Sequence, residues 1–424
     1  MYTPSPQTAN PETTAQLQLT KLKRLIAYAK KHSPFYREKL RKISPNDLTT
    51  LNDLKLLPFT SRADLETRNR DFFCVPEEQI SDYCRTSGTT GRPLYIGMTR
   101  SDLDNAARMC AELMPFLDLG PKPSFALLLP LDELINPSTC LERTFREVLK
   151  MPVYRIGAGY HPRIIEYLTD LKPTVALATP YLLYTLSRKY PQAGASLKTA
   201  ILLGQPVNGP NWEKLEIKKR IEENWGLEVY SAYGSTEVFS GFFECRAHRG
   251  HHIQWHDLIV EIVNPQTGEP LPGGEVGEVA VTTLYRRGLP LIRYLTRDLS
   301  RLETGPCPCG ANSPRVMAVL GRKDHFMKIK GTGLFPQQIE NALLRNDLVH
   351  DFLIQVYRDG EQQDLIKLLV SSKASIETLQ KYIKRELLFT PRVEILDSAA
   401  ILQLQTAGSQ KPRRFQDLRE RRTA

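Results

Sequence analysis

Eight consecutive residues, Thr86, Ser87, Gly88, Thr89, Thr90, Gly91, Arg92 and Pro93, concentrate hydroxyls, glycines and one cation in a single stretch. Glycine lets the backbone bend through conformations closed to other residues and bring its N–H groups close to an anion, and Ser and Thr hydroxyls rotate to meet phosphate oxygens. The chemistry served is phosphate binding, and hence a nucleotide. This is not the G-x-x-x-x-G-K-[ST] loop, which needs a lysine directly after its second glycine, where Arg92 stands here. An ordinary surface turn has the same composition, so the assignment needs partners elsewhere in the chain.

A second group offers metal chemistry. Cys245, His248, His251 and His252 lie close together, and Cys307-Pro308-Cys309-Gly310 follows farther along. Three thiolates and one imidazole would complete a closed tetrahedral Zn²⁺ site that staples distant loops. Cys245, Cys307 and Cys309 supply the thiolates, and His251 and His252 compete for the fourth place. The competing reading is reduced surface thiols beside exposed histidines. Cys74, Cys84, Cys110 and Cys140 occur singly and read as buried thiols.

These residues must be carried by a chain of 424 residues, long enough for two or three domains. Hydrophobic content of 41% and charged content of 25% are those of a soluble globular protein. No apolar run approaches the roughly 20 residues of a membrane helix, and the N-terminus lacks an apolar signal core, so the expectation is a cytoplasmic protein with no membrane partner. The net charge of +10 collects around Lys21, Lys23, Arg24, Lys30 and Lys31 and in the tail from Lys411 to Arg422. Without interleaved aromatics this is a solvated face and an anionic small substrate rather than a nucleic-acid platform. A zinc-containing nucleic-acid-binding protein is the remote alternative.

Periodicity places the elements. Leu19, Leu22, Leu25, Ile26 and Ala29 predict an amphipathic helix over 13–32. From 80 to 240, apolar runs at 125–130, 174–178 and 200–203 alternate with helical patterns at 162–171 and 212–225, which predicts an α/β domain with a largely parallel sheet. Residues 252–303 read as a small antiparallel β unit with strands at 259–263, 278–284 and 291–294. Beyond a boundary at 322–326, a helix at 336–346, strands at 351–356 and 365–370 and a helix at 375–388 predict a small second domain.

Four motifs stand in one order: TSGTTGRP at 86–93, AYGSTE at 232–237, PLIRYLTRDL at 290–299 and GRKDHFMKIKGTGLFPQQIE at 321–340. Together they resemble the adenylate-forming (acyl/aryl-CoA synthetase) superfamily, in its phenylacetate:CoA ligase-like branch. SPFYREKL at 33–40, LPFTSRADL at 57–65 and GSQKPRRFQDLR at 408–419 are similar to other signatures of that branch. The resemblance spans nearly the whole chain. It implies a large N-terminal adenylation domain over 1–322, built of α/β sheets with a small antiparallel β subdomain, and a small mobile α+β domain over 323–424. It implies two reactions: a carboxylate attacks the α-phosphate of ATP and releases pyrophosphate, then the acyl-adenylate passes its acyl group to a thiol. That thiol is coenzyme A, or alternatively a carrier protein.

The resemblance also assigns roles. Thr86 to Gly91 would hold the departing β and γ phosphates, and Gly234 and Ser235 would belong to the same nucleotide site. Tyr233 would stack on adenine, Thr236 would bond the α-phosphate, Glu237 would hold Mg²⁺, and Asp298 would accept the ribose hydroxyls, with Arg322 close to the ribose. Asp324 matches a hinge, and Lys411 matches a lysine inserted for adenylation. Some relatives carry the Cys/His arrangement with the histidine in a Gly-x-His-Ile context, matched by Gly250, His252 and Ile253. Ile135, Asn136, Thr179, Tyr181 and Gly234 are expected to line the site for a small carboxylic acid, aryl or related. The branch's glycine- and aromatic-rich pocket segment is missing, and its Gly-Ala-Glu-Pro-Trp motif reads Gly204-Gln205-Pro206-Val207 after Leu203, so a changed pocket is expected. A homodimer is a candidate assembly.

Overall fold

A computed structural model describes residues 10–86, 94–131, 134, 136–329, 332–358, 363–407 and 413–419. The chain divides into two compact units between Val319 and Leu320, with Leu215–Ile217 grouped with the second.

In the first unit, the apolar stripe of the N-terminal segment forms α1 (Pro11–His32), started by Asn10, whose side chain accepts from the Glu12 N–H at 2.8 Å. Ser33 both ends α1 and caps α2 (Pro34–Lys39), and Ser61 with Asp64 forms a capping box on α3 (Arg62–Arg68). An antiparallel hairpin, β1 (Asp82–Arg85) and β2 (Tyr95–Met98), flanks the Gly/Ser/Thr stretch and leads into α4 (Arg100–Leu113). Then come β3 (Phe125–Leu128), α5 (Asn136–Glu142), β4 (Val153–Arg155), α6 (His161–Leu171), β5 (Val175–Ala178), α7 (Pro180–Lys189), β6 (Thr199–Leu203), α8 (Glu216–Trp225) and β7 (Glu228–Ser235). Strands β4, β3, β5, β6 and β7 pair in parallel in that order. The central ones are buried along their length, which explains their unbroken apolar runs.

Over 80–240 the expected largely parallel sheet is present as β3–β7, and strands from beyond that range enlarge it. β8 (Ser240–Glu244), β9 (His251–His252), β13 (Leu302–Glu303) and β14 (Arg315–Val316) extend it antiparallel beyond β7, making nine strands among the described residues. These short additions lie beyond tight turns, where period-2 patterning has little length to show itself. The expected antiparallel unit is present as β10 (Leu258–Val263), β11 (Gly277–Thr283) and β12 (Tyr294–Ser300). Its third strand begins at Tyr294 and does not cover 291–293. Arg293 has φ +49, and its guanidinium turns to the Leu57 carbonyl and the Glu261 carboxylate, so Leu291 and Ile292 are buried in a loop. The helix expected from 212 begins at Glu216. Trp212 has φ +65 and donates its indole N–H to Glu244 at 3.2 Å, while Asn208 pairs with Lys214 as an isolated bridge.

In the second unit, β15 (Gly321–Arg322) precedes a hairpin of β16 (Met327–Ile329) and β17 (Thr332–Leu334), then α9 (Pro336–Leu344). β18 (Val349–Arg358) and β19 (Asp364–Ser372) pair antiparallel. After α10 (Ile376–Leu387), β20 (Arg392–Ile395) joins β19 in parallel, and after α11 (Ser398–Thr406), β21 (Phe415–Asp417) joins β18 in parallel. Among the described residues no helix is long and apolar enough to cross a membrane.

Candidate active site and metal cluster

In an open parallel sheet, ligands bind in the crevice outside the carboxyl ends of the strands. Register puts several expected residues at that edge: Leu128 pairs with Ala178, Ala178 with Leu202 and Leu203 with Ala232. Thr179, Gly204 and the run from Tyr233 onward therefore follow directly from neighbouring strand ends.

The β7–β8 hairpin carries the core of the site. Tyr233 pairs with Phe242, Gly234 with Gly241 and Ser235 with Ser240, and the connecting turn holds Thr236 and Glu237. Gly234 is required by close approach, since a Cβ there would lie 2.5 Å from the Ser240 carbonyl oxygen. The Ser235 hydroxyl accepts from the Val238 N–H at 3.3 Å and tightens the turn.

Tyr233 donates its hydroxyl proton to Asp298 Oδ2 at 2.8 Å. Asp298 lies on β12 just after Arg297, whose φ is +68, where the β11–β12 register shifts opposite Glu278–Ala280. A bulge re-aims the side chain that follows it. Two residues far apart in the chain thus present an aromatic ring and a carboxylate side by side.

The buried Glu237 meets two guanidinium groups that sequence reasoning missed. Arg62 of α3 donates through Nη1 to Glu237 Oε1 at 3.1 Å and through Nε to Glu66 at 2.8 Å. Arg286 donates through Nη1 to the Glu237 carbonyl and reaches Met98 Sδ of β2 at 3.3 Å through Nη2. Among the described residues, Arg62 Nη2 and Arg286 Nε are buried with no hydrogen-bond partner. Asp102 of α4 accepts from the Arg287 and Gly288 N–H groups at 2.7 and 2.9 Å, which fastens the 286–288 turn beside the exit of the β1–β2 hairpin.

Of the phosphate loop, Thr86 is described: its Oγ1 accepts from the Leu94 N–H at 3.0 Å and closes the neck. Ser87, Gly88, Thr89, Thr90 and Gly91 lie outside the described residues, as do Lys411 and Ile135. Asn136 opens α5, Thr179 precedes α7 and Tyr181 is half-buried on α7. A cavity of about 290 Å³ is lined by Leu131, Ser138, Thr139, Glu142 and Arg155, and neither Thr179 nor Tyr181 is in its lining. Val207 is fully buried. In the second unit, Arg322 and Asp324 lie 3.5 Å apart as an ion pair.

The cysteine cluster closes as four buried residues. Cys245, His252, Cys307 and Cys309 bring one ligand atom each to within 4.8 Å of one another. Cys245 Sγ lies 3.6 Å from Cys307 Sγ and Cys309 Sγ lies 3.4 Å from His252 Nε2, too far for a disulfide and close to the edge lengths of a tetrahedron around Zn²⁺. His252 Nδ1 is held by Ser313 Oγ at 2.8 Å, the outer contact a metal-ligating imidazole usually makes. His251 points elsewhere, to Ser231 Oγ at 2.8 Å and the Val316 carbonyl at 3.2 Å. His248 places its two ring nitrogens against Glu244 and Glu228, which raises its pKa.

Glu244, fully buried beside Cys245, accepts from the Ser231 N–H at 2.7 Å and hydroxyl at 2.8 Å, from Trp212, and faces Lys218 Nζ at 3.4 Å. Burial alone would raise this carboxyl, but the His248 hydrogen bond and the Lys218 charge hold it down at about 2. The network runs from the thiols to β7, two residues before Tyr233. Cys110 and Cys140, expected as single buried thiols, are buried but lie 3.8 Å apart.

Residues 3–284 match the AMP-binding enzyme family. The chain is 32% identical over 395 residues to the phenylacetate-coenzyme A ligase of Thermus thermophilus, covering 91% of this chain and 88% of that protein. It is 30% identical to the enzyme of the same name from Escherichia coli K12, covering 88% and 86%. A solved 2-hydroxyisobutyryl-CoA ligase in its postadenylation state superposes with a TM-score of 0.83 at 25% identity, over 97% of this chain and 90% of that one. A parallel sheet with an aromatic–carboxylate pair and a buried glutamate at its carboxyl edge suits a nucleotide-using enzyme. The chain belongs to the AMP-binding, adenylate-forming enzymes, in their phenylacetate-CoA ligase-like branch, and is an AMP-forming acid–CoA ligase.

Proposed function

We propose that the carboxyl edge of the sheet activates a small carboxylic acid, aryl or related, for transfer to coenzyme A. A carboxylate oxygen of the acid attacks the α-phosphorus of ATP, and the bond to the β-phosphate oxygen breaks to release pyrophosphate. The sulfur of CoA then attacks the acyl carbon, its proton leaves to solvent, and AMP departs with the mixed-anhydride oxygen. The Tyr233–Asp298 pair carries this reading: the ring faces adenine and the carboxylate accepts the ribose hydroxyls. Gly234 and Ser235 border the phosphates, Thr236 bonds the α-phosphate, and the loop from Thr86 to Gly91 holds the departing β and γ phosphates. Glu237 offers a hard carboxylate oxygen suited to Mg²⁺, which when bound neutralises phosphate charge. Arg322 serves the ribose, Asp324 the hinge and Lys411 the adenylation step, with the adenylation domain over 1–322 and a mobile domain over 323–424.

The acid contacts Ile135, Asn136, Thr179, Tyr181 and Gly234. The relatives act on phenylacetate and 2-hydroxyisobutyrate as their names state, and the Gly204-Gln205-Pro206-Val207 segment separates this pocket from the branch pattern. Pyrophosphate release against a panel of aryl, fatty and amino acids, with and without CoA and with products read by mass, tests the proposal. Release with one class of acid and an acyl-CoA product are expected; no release with any acid would overturn it. Lys411→Ala should abolish most ATP–pyrophosphate exchange, and intact exchange would refute the lysine's role.

Cys245, His252, Cys307 and Cys309 suit structural Zn²⁺. Their support is the closed, buried donor set with Ser313 behind the imidazole. The metal would cross-link loops and take no part in acyl transfer. One equivalent of zinc in purified protein is expected; less than about a tenth of an equivalent would exclude it, because structural sites are normally full.

A further inference from the structure

Arg419 lies in the basic tail, where the charge pattern predicts a solvated side chain, yet it is about nine-tenths buried. A guanidinium carries five N–H donors, and here each has an acceptor. Nε and Nη2 hold the two oxygens of Asp417 at 2.9 and 2.7 Å in a bidentate pair. Nη1 donates to Asp364 Oδ2 and to the Phe326 carbonyl, both at 3.0 Å, and Nη2 also donates to the Asp324 carbonyl at 3.0 Å. Asp364 Oδ2 in turn accepts from the Lys328 N–H at 3.0 Å.

These acceptors come from three places. Asp324 is the proposed hinge and Phe326 follows two residues on, Asp364 opens β19, and Asp417 ends β21, the strand that begins four residues after Lys411. Carbonyl acceptors on both sides of His325 fix the backbone of that segment rather than its side chains. We infer that Arg419 is a positioning residue that locks the backbone after Asp324, the start of β19 and β21 into one rigid piece, on which the adenylation step assigned to Lys411 depends. The inference rests on the proposed roles of Asp324 and Lys411. Geometry of this kind matters because a displacement of about 1 Å at a catalytic group costs about a hundredfold in rate. A lysine cannot replace the arginine, since an ammonium offers three donors at one point and no bidentate fork.

The test compares Arg419→Lys and Arg419→Ala in ATP–pyrophosphate exchange, using the acid that gives the greatest pyrophosphate release, with thermal unfolding measured in parallel. The kcat of exchange should fall at least about tenfold in both variants, while the KM for ATP stays within about threefold because Tyr233 and Asp298 are untouched. In a Lys411→Ala background, Arg419→Ala should change the residual exchange by less than about twofold, since the residue acts through the lysine. Exchange within about twofold of the parent in folded Arg419→Lys would overturn the inference. So would an equal further loss in the Lys411→Ala background, which would show that Arg419 only keeps the unit folded. Should Arg419→Ala fail to fold, Arg419→Lys decides alone, in both backgrounds. If Lys411→Ala by itself leaves exchange intact, the adenylation-lysine role fails, and this inference with it.

Discussion

Asp298 meets its proposed ribose with one oxygen already engaged, because Tyr233 donates to Oδ2. That bond fixes the carboxylate rotamer, so its loss should appear in nucleotide affinity rather than turnover. Tyr233→Phe keeps the ring for stacking and removes a hydrogen bond to a charged group, worth about 1.5 to 3 kcal/mol. The expected result is a rise of about ten- to 150-fold in the KM for ATP, with kcat changed little, measured by pyrophosphate exchange. An unchanged KM would show that the pair does not organise the ribose site. The pair's members were readable from AYGSTE and PLIRYLTRDL, but their hydrogen bond was not. Arg62 and Arg286 were less legible still. Arg62 stands in the quoted LPFTSRADL stretch and Arg286 in none, and they lie 175 and 49 residues from Glu237, where spacing carries no geometry.

Elements that read well are those whose pattern is long enough to repeat. α1 follows from its periodicity and the buried strands β3, β5 and β6 from apolar runs that alternate with helical patterns, whereas the loop at 291–293 is apolar because it is buried, and a short apolar run without that alternation looks the same in a loop as in a strand. The basic face of α1 misled in another way. Lys21, expected in solvent, bonds Asp257 at 2.7 Å, and Arg108 of α4 meets the other oxygen of the same carboxylate at 2.6 Å. One carboxylate before β10 therefore ties two helices to the antiparallel unit. Burial alone would raise the Asp257 carboxyl, but the Lys21 and Arg108 charges hold it below the ordinary carboxylate value. The sign follows: with a folded-state pKa below the unfolded value near about 3.9, the stabilisation is complete above that pH and is lost as pH falls through the folded-state value. Asp257→Asn should unfold more easily than the parent at neutral pH, and the difference should shrink below about pH 4. Urea unfolding at pH 7 and pH 3.5 measures it; a gap that widens in acid would mean that the two cations do not stabilise the carboxylate.

For the molecule as a whole, the reaction class was legible because four motifs stand in one order, two of which, AYGSTE and PLIRYLTRDL, bring Tyr233 and Asp298 together. The acid was not, because a pocket is set by side-chain packing contributed from separate loops. The metal cluster lies between these cases. Its thiols could be picked out by residue type, but the choice between His251 and His252 depends on which face of β9 turns to them. Adjacent strand residues point to opposite faces, so once His252 faces Cys309, His251 must face Ser231 and Val316. A metal there joins the end of β8 to the loop before β14, and the loop from His252 to Cys307 is long. By the chain-entropy relation for cross-links, closing it restricts the unfolded chain by on the order of 4 kcal/mol. Cys309→Ser should therefore bind less zinc and unfold at a temperature lower by several degrees, as should the parent after chelation. The KM for the acid should be nearly unchanged, because none of the four ligands belongs to the proposed acid site. The KM for ATP should rise modestly, since the Glu244–Ser231 network runs from Cys245 to the strand bearing Tyr233. Calorimetry with and without chelator, beside kinetics of Cys309→Ser, gives both readouts. An unchanged unfolding temperature after zinc is stripped would leave the cluster without a stabilising role.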